Sequence, residues 1–249
     1  ANDGLRVDGR ELQCRVIGEG GNLGMTQRGR VEFCLRGGLC NTDFIDNAAG
    51  VDCSDHEVNI KILLNKQVAS GAMSIEQRNT MLASMTDDVA GLVLDNNVRQ
   101  TKAISLAMAR SQQYHSEYQR YLGWLESSDQ LDRDLEFLPS DDQLTDRINR
   151  QHPSWTRPEL SVLICYSKVV LKEALAGSNL LTDPWLSQSV KDYFPAVLVS
   201  GFGEAVETHP LANEIAINQL VNDLVNRVGF SFFFRQMEST GASAEDVIK

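Results

Sequence analysis

Between Asp87 and Ser127 the chain carries no proline, and apolar residues recur at helical spacing throughout: Val89, Leu92 and Val93, then Ile104 and Met108, then Tyr118, Tyr121, Leu122 and Leu125. Such a stretch forces a long helix or helix pair, and the spacing places a break near Asn96-Asn97. Helical signals extend from Ser74 to the end. Thr156-Arg-Pro-Glu-Leu160 reads as a helix start, with Thr156 as N-cap, Pro158 in the first turn and Glu159 at the third position. That helix runs through Leu163, Tyr166, Val170 and Leu171 to a stop at Gly177. Asp183-Pro184 and His209-Pro210 open two more, and a short aromatic-rich helix over Phe230–Thr240 stops at Gly241. Ser243-Ala-Glu-Asp-Val247 begins another helix with an acidic first turn, and the chain stops two residues later, which suggests a longer polypeptide.

The first 70 residues read differently. Gln13-Cys-Arg-Val-Ile17 and Asn41-Thr-Asp-Phe-Ile45 suit short strands. Thr26 to Arg36 suits a helix capped by Thr26 and stopped by Gly37-Gly38, although Val31 to Leu35 has strand propensity too. Ser54 is placed as the N-cap of a second helix through Val58, Ile62 and Leu63, with Asp55 and Glu57 in its first turn. The resulting β-α-β-α order predicts an α/β region with a parallel sheet, its ligands lying where strands run out into loops. The expected fold class is thus α/β followed by mainly α, with residues 1–70 as one domain and 71–249 as a helical one.

Composition narrows the classes of partner. The formal charge of −11, with an isoelectric point near 4.8, opposes binding to nucleic acid or an anionic membrane. No apolar run is long enough to span a bilayer. The five cysteines, Cys14, Cys34, Cys40, Cys53 and Cys165, are odd in number and contain no Cys-x-x-Cys pair, so neither a disulfide framework nor a zinc ribbon is indicated. A reducing cytoplasm is the expected home.

Chemical density is concentrated in Gly18-Glu-Gly-Gly-Asn-Leu-Gly-Met-Thr26 and Asn47-Ala-Ala-Gly-Val-Asp-Cys-Ser-Asp-His-Glu57. Gly18, Gly20 and Gly24 after a strand partly match a dinucleotide fingerprint, with Asp43 or Asp46 as the acidic residue that should follow; a plain glycine turn or another ligand loop fits as well. Asp52, Cys53, Asp55, His56 and Glu57 can be drawn as a metal cluster, but neighbours at a helix start point in different directions, so no metal is expected. A capped acidic helix start explains them more simply. Phe230, Phe232, Phe233 and Phe234 read as core, and Arg157, Arg227 and Arg235 as internal ion-pair partners, whereas His115, His152 and His209 carry no pairing signal.

The segments Glu19 to Arg30, Asn41 to Lys61, Thr156-Arg-Pro-Glu-Leu160 and Gly241-Ala-Ser-Ala-Glu245 together resemble the large bacterial NAD-specific glutamate dehydrogenases, over essentially the whole chain. The first two also resemble the shorter hexameric enzymes, although Ala48-Ala-Gly50 stands here for their Ala-Gly-Gly and Leu23-Gly24 for their Gly-Pro. The resemblance implies oxidative deamination of glutamate to 2-oxoglutarate and ammonia with NAD as hydride acceptor. It implies that residues 1–70 are the C-terminal βαβα piece of a Rossmann-like nucleotide-binding domain. Gly20, Gly21, Asn22 and Asn47 then contact the cofactor near the nicotinamide and its ribose, and Ser54 the substrate carboxylate. A serine hydroxyl at a helix N-terminus suits an anion, and carboxamides suit the nicotinamide amide. In this reading the glycine loop serves the nicotinamide side and not the pyrophosphate.

The family's catalytic lysine and aspartate, its substrate-clamping lysines and its phosphate loop have no counterpart here. No residue of the chain is therefore expected to be catalytic, the isolated chain should be inactive, and its partners are the remainder of a longer polypeptide in a homo-oligomer. The competing expectation is a self-contained helical interaction or regulatory module without ligand.

Overall fold

In the computed structural model, which describes Gly4, residues 6–178 and residues 180–248, thirteen α-helices follow one another. They are α1 (Gln27–Leu35), α2 (Asp43–Asp46), α3 (Ala48–Ala69), α4 (Ile75–Ser84), α5 (Thr86–Arg110), α6 (His115–Ser127), α7 (Asp141–Asn149), α8 (Arg157–Leu175), α9 (Pro184–Tyr193), α10 (Ala196–Glu207), α11 (Ala212–Val228), α12 (Phe232–Thr240) and α13 (Ala244–Ile248). No helix among the described residues is long and apolar enough to cross a membrane.

The expected α/β class, with its Rossmann-like βαβα piece, is overturned: the described residues are all-helical and form no sheet. Of the proposed strands only an isolated parallel bridge between Val16 and Leu39 exists. It is closed by two hydrogen bonds, Ile17 N to Leu39 O and Leu39 N to Arg15 O, each 2.9 Å. Val16 and Leu39 are more than half exposed, so nothing covers the bridge to make it a strand pair with a buried face. Asn41–Ile45 is not a strand. Thr42 ends the extended chain, and its carbonyl accepts from Ile45 N and Asp46 N, both at 3.2 Å, which starts the short α2.

Helix starts were more legible than strands. Thr26 caps α1, its hydroxyl accepting from Gly29 N at 3.1 Å. At the start of α8 Thr156 donates both its backbone N–H and its hydroxyl to the Glu159 carboxylate, at 2.8 and 2.7 Å, and the buried Glu159 also receives both Arg147 nitrogens at 2.9 and 2.8 Å. Gly241 closes α12 at φ +72°, a left-handed conformation in which glycine avoids a Cβ clash. Two positions differ. Ser54 is not an N-cap, because α3 begins six residues earlier at Ala48, directly after Asn47 closes α2. The long helical stretch breaks after Arg110 and not at Asn96-Asn97: Asn97 Nδ2 donates to Val93 O at 2.8 Å, a bond along the helix that keeps it inside α5.

The chain divides into two compact units, 1–47 with 100–171 and 224–249, and 48–99 with 172–223. The first packs an aromatic interior. Tyr121 lies 5.6 Å from Phe230, 5.7 Å from Phe233 and 5.5 Å from Phe234 between ring centroids, and Ser167 Oγ satisfies Phe230 O at 2.9 Å. In the second, α3 buries His56, Asn59, Ile60, Leu63 and Leu64, one stripe at helical spacing. It packs with Met85, Tyr193, Phe194, Leu198 and Val206. Tyr193 OH donates to Asp55 at 2.7 Å and accepts from Asn59 at 2.9 Å.

Candidate functional site

The glycine-rich loop between the Val16 bridge and α1 is latched from beneath by one arginine. Arg30 lies on the inward side of α1, 5% exposed, where a helix of this kind normally places an apolar residue. Its guanidinium grips the equally buried Glu19 through two bonds, Nε to Oε2 at 2.5 Å and Nη2 to Oε1 at 3.0 Å. Burial opposes the Arg30 charge, but the bonds and charge of Glu19, with Asp43 3.3 Å away, outweigh it and hold the guanidinium above its usual range. Burial also works against ionised Asp43, yet the Leu23 N–H and Arg30 win and hold that carboxyl below its ordinary range.

Each carboxylate of this cluster takes one backbone amide of the loop. Glu19 Oε1 accepts from Met25 N at 2.9 Å, Asp43 Oδ2 from Leu23 N at 3.0 Å, and Asp46 Oδ2 from Glu19 N at 3.0 Å. Asp46 also accepts from Asn41, whose own oxygen receives Arg157 Nε at 2.9 Å. These three amides point at protein carboxylates, two of which, Glu19 and Asp43, share Arg30 as their cation. A diphosphate requires free amides and positive potential, which these three amides do not offer.

The outer side of the loop is open. A Cβ added at Gly20 or Gly21 meets nothing within 4 Å, and neither glycine has positive φ; the left-handed residue is Leu23, at φ 60°. Neither packing nor backbone conformation demands glycine at 20 and 21. Beside them Asn47 Nδ2 donates to Asn22 Oδ1. Two carboxamides joined in this way leave one NH2 group and one carbonyl oxygen, and reversing both amides leaves the same pair. That pair is complementary to a third primary carboxamide. Ala49, the departure from the hexameric pattern, lies inside α3 without positive φ and fits without strain.

Ser54 is exposed in the interior of α3, its hydroxyl donating to Gly50 O at 3.1 Å. The helix N-terminus that was to favour an anion there is absent, because the helix starts at Ala48. The neighbouring polar residues take partners of their own, although His56 Nε2 lies 3.8 Å from Asp52 Oδ1. Asp52 accepts from Asn96 at 2.9 Å, Asp55 from Tyr193, and Glu57 pairs with Lys61, while Cys53 is exposed. His56 turns inward, 1% exposed, and stacks on Tyr193 with centroids 4.3 Å apart; burial holds its pKa below the usual value. No group of His, Cys, Asp and Glu among the described residues converges as a metal requires.

Sequence reasoning missed Arg30, Glu19, Asp43 and Asp46 as a latch. The available signal was Arg30 itself, a charged residue on the face of α1 shared with Val31, Phe33 and Cys34. It also gave His209 no partner, whereas the structure bonds its Nδ1 to Leu211 N and its Nε2 to Asn59 O, both at 3.1 Å.

Residues 1–107 match the family model for the bacterial NAD-glutamate dehydrogenase catalytic domain, and residues 153–249 that for the glutamate dehydrogenase C-terminal region. The chain is 57% identical over 247 residues to an NAD-specific glutamate dehydrogenase of Pseudomonas aeruginosa, covering 99% of this chain and 15% of that protein. Proteins of the same description from Halomonas elongata and Mycobacterium tuberculosis are 51% and 39% identical over 249 residues, all of this chain and again 15% of each relative. The chain thus spans a small part of the length of the relatives it matches. By these matches over nearly its entire length, the chain belongs to the bacterial NAD-specific glutamate dehydrogenase family.

Proposed function

We propose that this chain serves, within a longer polypeptide, the oxidative deamination of L-glutamate to 2-oxoglutarate and ammonia, and that its share is to bind and orient. The observation that carries the reading is the Asn22–Asn47 carboxamide pair, with its remaining NH2 group and carbonyl oxygen beside two unobstructed glycines. NAD, when bound, supplies the hydride acceptor. Asn22 and Asn47 hold the nicotinamide carboxamide and so fix which face of the ring is offered to the substrate. Gly20 and Gly21 allow the backbone to lie against the cofactor. Ser54 donates its hydroxyl proton to a substrate carboxylate, exchanging its present acceptor, Gly50 O, for a charged one.

No residue of this chain is assigned proton transfer, and the chain by itself is expected to be inactive. Steady-state kinetics on the full-length enzyme tests the reading. Asn47→Ala should raise the KM for NAD about tenfold, and Ser54→Ala that for glutamate, with no loss of thermal stability. Both variants behaving as wild type would return the chain to the class of helical interaction modules.

A further inference from the structure

The sequence casts Arg157 as an internal ion-pair partner, and the structure gives it a different task. Among the described residues its partly buried guanidinium bonds two neutral oxygens: Nε donates to Asn41 Oδ1 and Nη1 to Ser105 Oγ, both at 2.9 Å. Burial pulls its pKa below the usual value, against the opposing charge of Asp46. Taking a charge out of water against neutral partners is costly, so the arrangement is a poor device for stability.

Asn41 decides where that charge is felt. Arginine only donates, so Asn41 must turn its oxygen to Arg157 and its NH2 group away. That NH2 group donates to Asp46 Oδ1 at 2.8 Å. The amide dipole lies between a cation and an anion, and both hold it in one orientation. Asp46 Oδ2 in turn accepts from Glu19 N at 3.0 Å. Asp46 is the last residue of α2, next to Asn47, and Glu19 lies three residues before Asn22 in the loop. One carboxylate therefore ties together the two segments that carry the asparagine pair, and Asn41 with Arg157 fixes how that carboxylate is turned. Every member of this relay lies within the first compact unit.

We infer that Arg157 is a positioning residue for nicotinamide recognition, acting through Asn41 and Asp46 to hold Asn22 and Asn47 in register. This role rests on the reading that the pair holds the nicotinamide carboxamide.

Dissociation constants for NAD and for ADP-ribose, measured on the full-length wild type, Arg157→Met, Asn41→Leu, their double variant and Asn47→Ala, test it. Arg157→Met and Asn41→Leu should each weaken NAD about fivefold and leave ADP-ribose within about twofold of wild type. The double variant should lose no more than either single one, because both cut the same relay; additive losses overturn it. Arg157→Gln, which keeps a polar group but accepts as well as donates, takes the place of Arg157→Met if that variant does not fold. Equal weakening of the two ligands marks a merely structural residue and overturns the inference. Unchanged NAD binding in the Arg157 and Asn41 variants, with Asn47→Ala impaired for NAD alone, overturns the positioning role and leaves the nicotinamide reading standing. Asn47→Ala binding NAD as wild type does removes that reading and this role with it.

Discussion

Arg30 and Glu19 form a two-bonded ion pair, 2.5 and 3.0 Å, with both side chains about as buried as the apolar core. Removing one partner leaves the other charge buried and unpaired. Arg30→Met should therefore destabilise the chain by about 3–5 kcal/mol, since Glu19 and Asp43 then lose the cation they share. The double change Glu19→Met with Arg30→Met should cost clearly less than the sum of the two single changes. Urea unfolding of all three variants measures this, and strict additivity would contradict the latch.

Acidification should weaken the second unit through two buried histidines. Burial lowers the pKa of both His56 and His209 below the ordinary 6.5. A base whose folded pKa is lowered contributes stability that is present above the unfolded value and is lost as pH falls through the folded one. Stability should accordingly be flat above about pH 6.5 and decline below it, by up to about 1.4 kcal/mol per pH unit for each group. Replacing His209 by Gln, which keeps a donor and an acceptor for Asn59 O and Leu211 N, should remove part of that slope. A slope unchanged by the substitution would contradict the assignment.

Glycines of the loop and of the scaffold should separate cleanly on substitution by alanine. At Gly21 a Cβ meets nothing within 4 Å, so Gly21→Ala should change stability by less than about 0.5 kcal/mol while weakening NAD. At Gly9 a Cβ would lie 2.2 Å from Gly29 O, so Gly9→Ala must displace backbone and should destabilise by about 1–3 kcal/mol. Thermal melts and NAD titration of the two variants check this contrast.

Ser54→Ala offers a test of helix position. Were Ser54 an N-cap, its loss would cost about 1 kcal/mol. Inside α3, exposed and bonded only to Gly50 O, its loss should fall within about 0.5 kcal/mol of zero. A cap-sized loss in chemical denaturation would place the start of α3 elsewhere.

What the sequence made legible was mostly local. Thr26, Thr156 with Glu159, and Gly241 each act through partners within four residues, so short motifs report them faithfully. The sheet failed because strand propensity in Gln13–Ile17 and Asn41–Ile45 says nothing of neighbours, and a single uncovered bridge cannot sustain strands. Ser54 was misplaced because Asn47-Ala-Ala-Gly reads equally as loop and as helix, and the closure of α2 on Asn47 lets α3 start at once. Of the residues expected near the cofactor, the structure brings Asn22 and Asn47 together. The latch beneath them was not legible, because Arg30, Glu19, Asp43 and Asp46 meet across the chain rather than along it.

The central claim is that Asn22 and Asn47 hold the nicotinamide carboxamide, and NAD can be compared directly with ADP-ribose, which lacks that ring. Dissociation constants of both should be measured for the full-length wild type and for Asn47→Ala. The account predicts that NAD affinity falls about tenfold, roughly 1.4 kcal/mol, while ADP-ribose affinity is unchanged. Equal losses for the two ligands, or no loss for either, would contradict it.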